Sequence, residues 1–261
     1  MLVLDSLRLP PGLRVLVTAG ASGVGAAVAR AFSEAGAHVH VCDIDRTALG
    51  RLANEAPAIT GSLADAAVSG DVDLVFDDVL GTLGGLDVLV TSAGIAGPTA
   101  AIEAIDLAQW ERSVAVNLTS HFLFARRAVP LLKASRSQPS VVVVGAMTDG
   151  QDGAFRTPQA ATHAGVVCLA RSLAAELAPQ GVRVNAVLPA VAGGEMDRVS
   201  LRGSAAGPVS DAMRDEQGRR RALHRTAAAA DIAAIALFLA SPAARHLTGQ
   251  TVRVQVRADD A

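Results

Sequence analysis

The residues of this chain best suited to chemistry lie in a glycine-rich turn near its start. The turn, Thr18-Ala19-Gly20-Ala21-Ser22-Gly23-Val24-Gly25, follows the apolar run Val15-Leu16-Val17, and an Ala-rich helical pattern then continues to Ala35. Small residues let a backbone approach a pyrophosphate, and a helix N-terminus offers free N–H groups and a positive dipole end. Because the turn joins a predicted strand to a predicted helix, it indicates a dinucleotide site.

An acidic residue ends the second predicted strand. The run His38-Val39-His40-Val41-Cys42 is followed by Asp43, which lies 18 positions after Gly25. A carboxylate at this point can accept both ribose hydroxyls of an adenosine and repels a 2′-phosphate. The sequence therefore predicts NAD rather than NADP as the cofactor. The alternative is that Asp43 is only a turn residue at the end of its strand.

The elements that must position these residues alternate along the chain. Further strands are predicted at 86–90, 141–144, 182–187 and 251–254, and helices at 106–134, 158–178 and 229–240. Strands that alternate with helices predict an α/β fold with a parallel sheet covered on both faces. We find no linker or internal repeat and predict one dinucleotide-binding domain over residues 1–261. The stretch 190–224, rich in Gly, Ser and Arg, is predicted to be a mobile substrate loop or lid.

Composition excludes several function classes. Hydrophobic residues make up 51% of the chain, which is enough for a large core, and the net charge of −2 gives no basic surplus for nucleic acid. No apolar run of about 18 residues and no signal-peptide pattern is present, so we predict no membrane span. Cys42 and Cys168 have no metal-ligand spacing, and no metal site is predicted. Two distant cysteines in apolar patterns are expected to be buried thiols in a reducing, cytoplasmic compartment.

The ordered motifs of the chain resemble those of the classical short-chain dehydrogenase/reductase family. The similar segments are the turn at 18–25, Thr91-Ser92-Ala93-Gly94, Val116-Asn117-Leu118, 171–178, 181–187, Asp231-Ile232-Ala233 and Leu247-Thr248-Gly249-Gln250. The resemblance spans nearly the whole chain. It implies a three-layer, Rossmann-like, doubly wound sheet of about seven parallel strands in the order 3-2-1-4-5-6-7. It also implies an oligomer, commonly a tetramer.

The resemblance implies a set of residues that bind the cofactor. These are Thr18, Gly20, Ser22, Gly23, Val24, Gly25, Asp43, Ser62, Leu63, Ser92, Ala93, Gly94 and Pro189. Some positions depart from the family pattern. Ala19 replaces a glycine, which we expect to be tolerated if its φ is negative, and Ser62 replaces an aspartate that contacts adenine. Ala190 and Gly194 replace residues near the nicotinamide, so we predict weak or vestigial NAD binding.

The catalytic positions differ most from the family, which uses Asn, Ser, Tyr and Lys. Aligned on Arg171-Ser172-Leu173, these positions fall on Asn117, Ala146, Gln159 and His163, in that order. Only the asparagine is retained. The chain contains no tyrosine, and its single lysine, Lys133, precedes the relevant strand, so no shift of the alignment restores the set.

These replacements remove the family's usual route for a proton. Gln159 has no ionisable proton near neutral pH, and Ala146 cannot donate a hydrogen bond to an oxyanion. His163, one helical turn after Gln159, can titrate near pH 6.5 and could deliver a proton. Alternatively, His163 only fills the space of the missing lysine.

Two classes of function follow. The first is a catalytically silent NAD(H)-binding subunit, in a homo-oligomer or paired with an intact relative through helices 106–134 and 158–178. The second is an NAD-dependent alcohol or ketone oxidoreductase, or a lyase-type enzyme, that uses a non-standard acid or base such as His163. The sequence names no substrate. The pocket walls are expected from 95–103, 147–157 and 190–224, which carry few aromatic residues.

Overall fold

The fold is built on a parallel β-sheet, seen in a computed structural model that describes residues 3–145, 155–189 and 228–254. Its strands run in the order β3-β2-β1-β4-β5-β6-β7. They are β1 Arg14–Thr18, β2 His38–Asp43, β3 Thr60–Leu63, β4 Val88–Thr91, β5 Ser140–Val144, β6 Arg183–Pro189 and β7 Thr251–Val254. Because every neighbouring pair is parallel, the carboxyl ends of all strands meet at one edge. The predicted doubly wound α/β fold is confirmed.

Helices connect the strands and cover both faces of the sheet. They are α1 Val3–Ser6, α2 Gly23–Glu34, α3 Arg46–Glu55, α4 Ser69–Leu83, α5 Leu107–Val114, α6 Ser120–Ala134, α7 Thr157–Leu177 and α8 Ala229–Ala240. Short 3₁₀ turns lie at Ile102–Ala104, Ala178–Gln180 and Pro242–Ala244. None of the helices in the described ranges is both long and apolar enough to cross a membrane.

The core has two layers, one on each face of the sheet. Helices α2, α3 and α8 cover one face, where fully buried Val28, Phe32 and Ile232 pack on alternate strand residues such as Val17 and Val41. Helices α4, α6 and α7 cover the other face, where Phe76 and Phe124 lie with ring centroids 6.0 Å apart. Strands buried on both faces explain the near-continuous apolar runs in the sequence.

The predicted helix at 106–134 is interrupted. Helices α5 and α6 are joined by one π-helical turn, Ala115–Thr119, which contains Asn117. A π turn inserts an extra residue into the helical ladder and is often found at functional sites. The predicted helices at 158–178 and 229–240 correspond to α7 and α8 within one residue at each end. The predicted loop or lid at 190–224 lies outside the described residues.

The glycine turn does not meet the condition under which we expect Ala19 to be tolerated, which is a negative φ. The φ of Ala19 is +49°, in the left-handed region. The reason is the close approach of the helix start, since a Cβ on Gly25 would lie 2.0 Å from the carbonyl oxygen of Ala19. The chain reverses sharply between β1 and α2, and Ala19 adopts the conformation that a glycine adopts at little cost.

The expectation for the cysteines is half correct. Cys42 is buried in β2, and burial raises the pKa of its thiol to about 12. Cys168 is exposed, because it lies on the side of α7 opposite the residues that contact the sheet, such as Val166 and Ala170. Val166 and Ala170 face the sheet, but Cys168 itself does not.

The strained turn makes a prediction about stability. Ala19→Gly is expected to raise the free energy of unfolding by about 0.5–1 kcal/mol, because glycine tolerates a positive φ. The matched control Ala27→Gly, inside α2, is expected to lower the free energy of unfolding by about 1 kcal/mol. Urea unfolding of both variants measures the two changes. A loss of stability in Ala19→Gly would contradict the strain at this turn.

Candidate functional site

The start of α2 forms one wall of the candidate site. The helix begins at Gly23, which has a φ of +55°, and its N-cap residue Ser22 is extended and makes no capping hydrogen bond with its side chain. The first N–H groups of a helix lack partners within the helix. They lie at the carboxyl edge of the sheet, directly after β1. This arrangement suits a phosphate or pyrophosphate group.

Asp43 lies next to this turn and is 7% exposed. Its two carboxylate oxygens accept hydrogen bonds from the backbone N–H groups of Ala21 and Asp45, both at 3.0 Å. The carboxylate therefore holds the glycine turn against the end of β2. Each oxygen keeps further acceptor capacity, so this structural role and a contact with ribose hydroxyls are compatible.

Two apolar side chains are exposed beside Asp43. Ile44, directly after β2, is 61% exposed, and Leu63, at the end of β3, is 46% exposed. Both lie at the carboxyl edge of the sheet, because β2 and β3 are parallel with Asp43 opposite Leu63. Exposed apolar side chains beside a phosphate-binding turn offer a surface on which a flat ring can pack.

Ser62, predicted to lie near the adenine, belongs to a polar network within the protein. Its hydroxyl donates to the carboxylate of Asp78 and lies 2.8 Å from Nε2 of His40. Nδ1 of His40 lies 2.7 Å from the hydroxyl of Thr60. Since the Ser62 proton points to Asp78, we assign the Nε2–H tautomer to His40. Burial lowers the pKa of His40, and the nearby charge of Asp78 partly opposes this effect.

The segment that follows β4 forms hydrogen bonds with β1 and lies close to the π turn. The hydroxyl of Thr18 accepts hydrogen bonds from the N–H groups of Ser92, at 2.9 Å, and Ala93, at 3.3 Å. The predicted segment 92–94 therefore lies beside the glycine turn. Gly94 is close to the π turn as well, since a Cβ at this position would lie 3.7 Å from Oδ1 of Asn117.

Asn117, the predicted catalytic asparagine, is 3% exposed and makes several hydrogen bonds. Its Oδ1 accepts from the N–H of Ile95 at 2.7 Å, and its Nδ2 donates to the carbonyl of Ile95 at 2.9 Å. A longer contact of 3.5 Å joins Nδ2 to the hydroxyl of Thr162 on α7. The amide thus connects the chain after β4 with α7 across the candidate site.

Gln159 and His163 lie on successive turns of α7, as the alignment predicts. Gln159 is 6% exposed, and its Oε1 is 3.5 Å from a guanidinium nitrogen of Arg156. Nδ1 of His163 is buried and has no hydrogen-bond partner within the part of the chain that the structure describes. Burial lowers the pKa of His163 to about 4. The expectation that His163 titrates near pH 6.5 is therefore wrong, because its ring is largely removed from water.

A second histidine, His121, lies close to the site and was not predicted from the sequence. It is buried in α6, and its Nδ1 lies 2.7 Å from the hydroxyl of Thr91. Burial, with a smaller contribution from His163, lowers its pKa to about 4, and a hydrogen bond with the Ala93 backbone partly opposes this effect. The available signal was its spacing, since His121 follows Asn117 by four residues and shares a helix face with it. His163 is close enough to His121 that its charge affects the pKa of His121, and at neutral pH both rings are uncharged.

Other predicted positions lie at the border of the described residues. Pro189 is the last residue of β6, whereas Ala146, Ala190 and Gly194 lie outside the described residues. Two of the predicted pocket walls, 95–103 and 147–157, are connected by a hydrogen bond in which the N–H of Ala100 donates to the carbonyl of Phe155 at 2.8 Å. Within 3–145, 155–189 and 228–254, no three His, Cys, Asp or Glu side chains are grouped as metal ligands.

The chain is similar to known proteins in sequence and in fold. Residues 18–256 match the family model described as enoyl-(acyl carrier protein) reductase. The chain is 33% identical to the cis-4-hydroxycyclohexanecarboxylate dehydrogenase of Sinomonas cyclohexanicum, over 92% of this chain and 93% of that protein. It is 32% identical to momilactone A synthase of Oryza sativa subsp. japonica, over 93% and 88%.

Among solved structures, a 3-ketoacyl-(acyl-carrier-protein) reductase from Brucella melitensis, complexed with NADH, is similar in fold. The TM-score is 0.84 at 28% sequence identity, and the match covers 94% of this chain and 97% of that chain.

The lowered pKa of a buried histidine makes the free energy of unfolding depend on pH. The pKa of His121 is about 4 in the folded protein and about 6.5 when unfolded, so the unfolded state binds more protons between these values. Stability should therefore fall as the pH decreases from 6.5 towards 4. Between pH 7 and pH 5, we expect His121 alone to account for about 2 kcal/mol of the loss.

Unfolding experiments at the two pH values test this contribution. His121→Asn should reduce the pH-dependent loss of stability, whatever its effect at pH 7. His38→Asn, which changes an exposed histidine, should leave the loss as it is in the parent protein. An unchanged loss in His121→Asn would show that His121 is not held neutral by burial.

Proposed function

Since this chain belongs to the short-chain dehydrogenase/reductase family, an oxidoreductase family with a nicotinamide-dinucleotide-binding fold, we propose that it is an NAD(H)-binding but catalytically silent subunit. Its role would be structural or regulatory, alone in a homo-oligomer or with an intact relative. The observation that carries the proposal is the face of α7 next to Asn117. This face carries Gln159 and His163, which the alignment assigns to the family's tyrosine and lysine positions, and the chain contains no tyrosine.

The adenosine half of the site fits a dinucleotide. The N-terminus of α2 offers N–H groups to a pyrophosphate, and Asp43 has acceptor capacity left for ribose hydroxyls. Ile44 and Leu63 supply apolar surface for a ring. NAD supplies or accepts hydride when bound to such a fold. The carboxylate of Asp43 opposes a 2′-phosphate, which supports NAD over NADP.

In the other half of the site, the two described side chains at the predicted catalytic positions of α7 are poor proton donors to an alkoxide. Gln159 cannot ionise near neutral pH. His163 has a pKa of about 4, so at pH 7 only about one molecule in a thousand carries the imidazolium form. Acid–base catalysis by a positioned group contributes about 10²–10⁴-fold to a rate. Loss of that contribution supports a silent site.

One observation favours a second candidate function. Nδ1 of His163 is buried and has no partner among the described residues, and a neutral imidazole nitrogen can accept a proton. A substrate hydroxyl placed against this nitrogen would satisfy it, and His163 would then act as base in oxidation of an alcohol or in a lyase-type reaction. Its low pKa makes it a weak base, which is why we place this function second.

The proposed subunit role has support on the surface of the helices. Phe122 of α6 is 47% exposed, Trp110 of α5 is 36% exposed, and Cys168 of α7 is exposed. Large apolar side chains on neighbouring helices are typical of protein–protein contacts. These surfaces support contact with another copy or with an intact relative.

Cofactor binding gives the first test. Calorimetry should detect NAD(H) binding at millimolar concentration or below, and weaker binding of NADP(H). Asp43→Asn should narrow the difference in affinity between the two cofactors by about tenfold, because the like-charge repulsion of the 2′-phosphate is removed. The control Asp77→Asn removes an exposed acid from α4 and should leave the difference unchanged. Tighter binding of NADP(H) to the parent protein would refute the assignment of NAD.

Turnover gives the second test. With NAD(H) and a panel of ketones and secondary alcohols, the chain alone should turn over several orders of magnitude below a typical rate of about 10 s⁻¹. The combined variant Ala146→Ser, Gln159→Tyr, His163→Lys should gain activity if the rest of the pocket is intact. The three changes are made together because such groups act as a unit.

A control separates the two candidate functions. If the parent protein reaches an ordinary rate, the silent-subunit proposal fails. His163→Ala then decides what replaces it: a large loss of rate with a changed pH profile identifies His163 as the acid or base, and no loss excludes it.

A further inference from the structure

A cavity of about 220 Å³ lies at the amino edge of the sheet, opposite the candidate cofactor site. It is formed between the end of α7, the start of β6 and the segment that follows α8. Its lining includes Gln138, Gly181, Arg183, Arg245, His246 and Thr248. The volume is too small for a dinucleotide and suits a small ligand, since ordinary ligand pockets measure about 300–1,000 Å³.

The described lining of this cavity is largely apolar but carries basic side chains, and none of its described residues is a carboxylate. It includes two arginines and one histidine, together with the side-chain amide of Gln138. Arg245 has only a long contact, 3.5 Å, from its guanidinium to the carbonyl of Pro242. Among the ion pairs of the described ranges, none includes Arg183 or Arg245. The positive charge of the cavity is therefore not neutralised by an ion pair with any acid in the described ranges.

Arg183 is a buried cation at the edge of the cavity, only 7% exposed. Its guanidinium donates to the carbonyls of Leu239 at 2.5 Å, Ala244 at 3.1 Å and Ala240 at 3.4 Å, all at or after the end of α8. The negative end of a helix dipole compensates only about half a charge. Arg183 is thus a buried positive charge that no described carboxylate pairs with. A bound anion would supply the missing negative charge.

Two buried polar atoms near this edge have no partner in the described part of the chain. They are Nε of Arg183 and Oγ of Ser140. Ser140 and Arg183 are opposite each other in the register of β5 and β6, so both side chains lie on the same face of the sheet. An unsatisfied buried polar atom in a folded protein calls for an ordered water or ion. Of the two, Arg183 belongs to the described lining of the cavity, whereas Ser140 lies on the neighbouring strand outside that lining.

The backbone at the rim is unusual as well. Gln138, directly before β5, has a φ of +54°, and Gly181, directly before β6, has a φ of +73°. Glycine adopts such a conformation freely, but glutamine does so at a cost. Strained residues are concentrated at functional sites, where the surrounding structure holds them.

We propose that this cavity binds a small oxyanion, either free phosphate or sulfate or the phosphate group of a small monoester. Arg183, Arg245 and His246 would supply charge, and Gln138 and the hydroxyl of Thr248 would supply hydrogen bonds. The hydroxyl of Thr248 accepts from the N–H of Val184 at 3.1 Å, so its own proton is available to an anion oxygen. The site is separate from the proposed cofactor site and does not depend on it.

Thermal unfolding of the full chain tests the proposal. Sodium phosphate and sodium sulfate should raise the Tm above that in sodium chloride of equal ionic strength, and glycerol 3-phosphate serves as the monoester. A monoester that binds more tightly than phosphate identifies a phosphorylated small molecule as the ligand, and equal or weaker binding identifies the free anion.

Variants locate the effect at this cavity. The double variant Arg245→Gln, His246→Gln should weaken the apparent phosphate affinity by about tenfold or more, because charge-assisted hydrogen bonds are lost. Gln138→Glu, which adds a carboxylate to the rim, should weaken it as well. The control Arg51→Gln removes an exposed arginine of α3 and should leave the affinity unchanged. A phosphate effect that persists in the double variant, or one absent from the parent protein, overturns the proposal.

Discussion

The carboxylate of Asp43 holds together the two segments from which the candidate cofactor site is built. By accepting the N–H groups of Ala21 and Asp45, it fixes the glycine turn against the end of β2. The turn itself has almost no free space, because the carbonyl of Ala19 lies where a side chain on Gly25 would be. These contacts set the direction in which α2 leaves the sheet, and hence where its free N–H groups point.

A second set of polar contacts organises the opposite half of the site. Asn117 forms hydrogen bonds with the N–H and the carbonyl of Ile95, and His121 forms one with the hydroxyl of Thr91. In this half, polar side chains are used to hold the end of β4 and the π turn in place. Buried polar groups that are satisfied in this way rigidify a structure, whereas a catalytic acid must keep a proton available for a substrate. The side chains of Asn117 and His121 therefore position the segment after β4 and the π turn.

Much of the fold could be predicted because the strands are buried on both faces and the long helices are strongly patterned. The segments that escaped prediction are weaker in pattern. Strand β3, TGSL, has three exposed residues out of four and lies at the edge of the sheet, so its hydrophobic signal is slight. The break in the helix at 106–134 was not predictable from periodicity either, since a π turn adds one residue without changing the composition of the segment.

The sequence by itself determined the alternation of strands and helices, the glycine turn with its acid, and the absence of any tyrosine or suitably placed lysine. These follow from local pattern and from residue identity. Only the tertiary structure decided the positive φ of Ala19, the engagement of Ser62 with His40 and Asp78, and the low pKa of His121 and His163. Each of these depends on contacts between residues far apart in the chain. Burial and hydrogen bonding set a pKa or a backbone strain, and both are properties of the packed molecule.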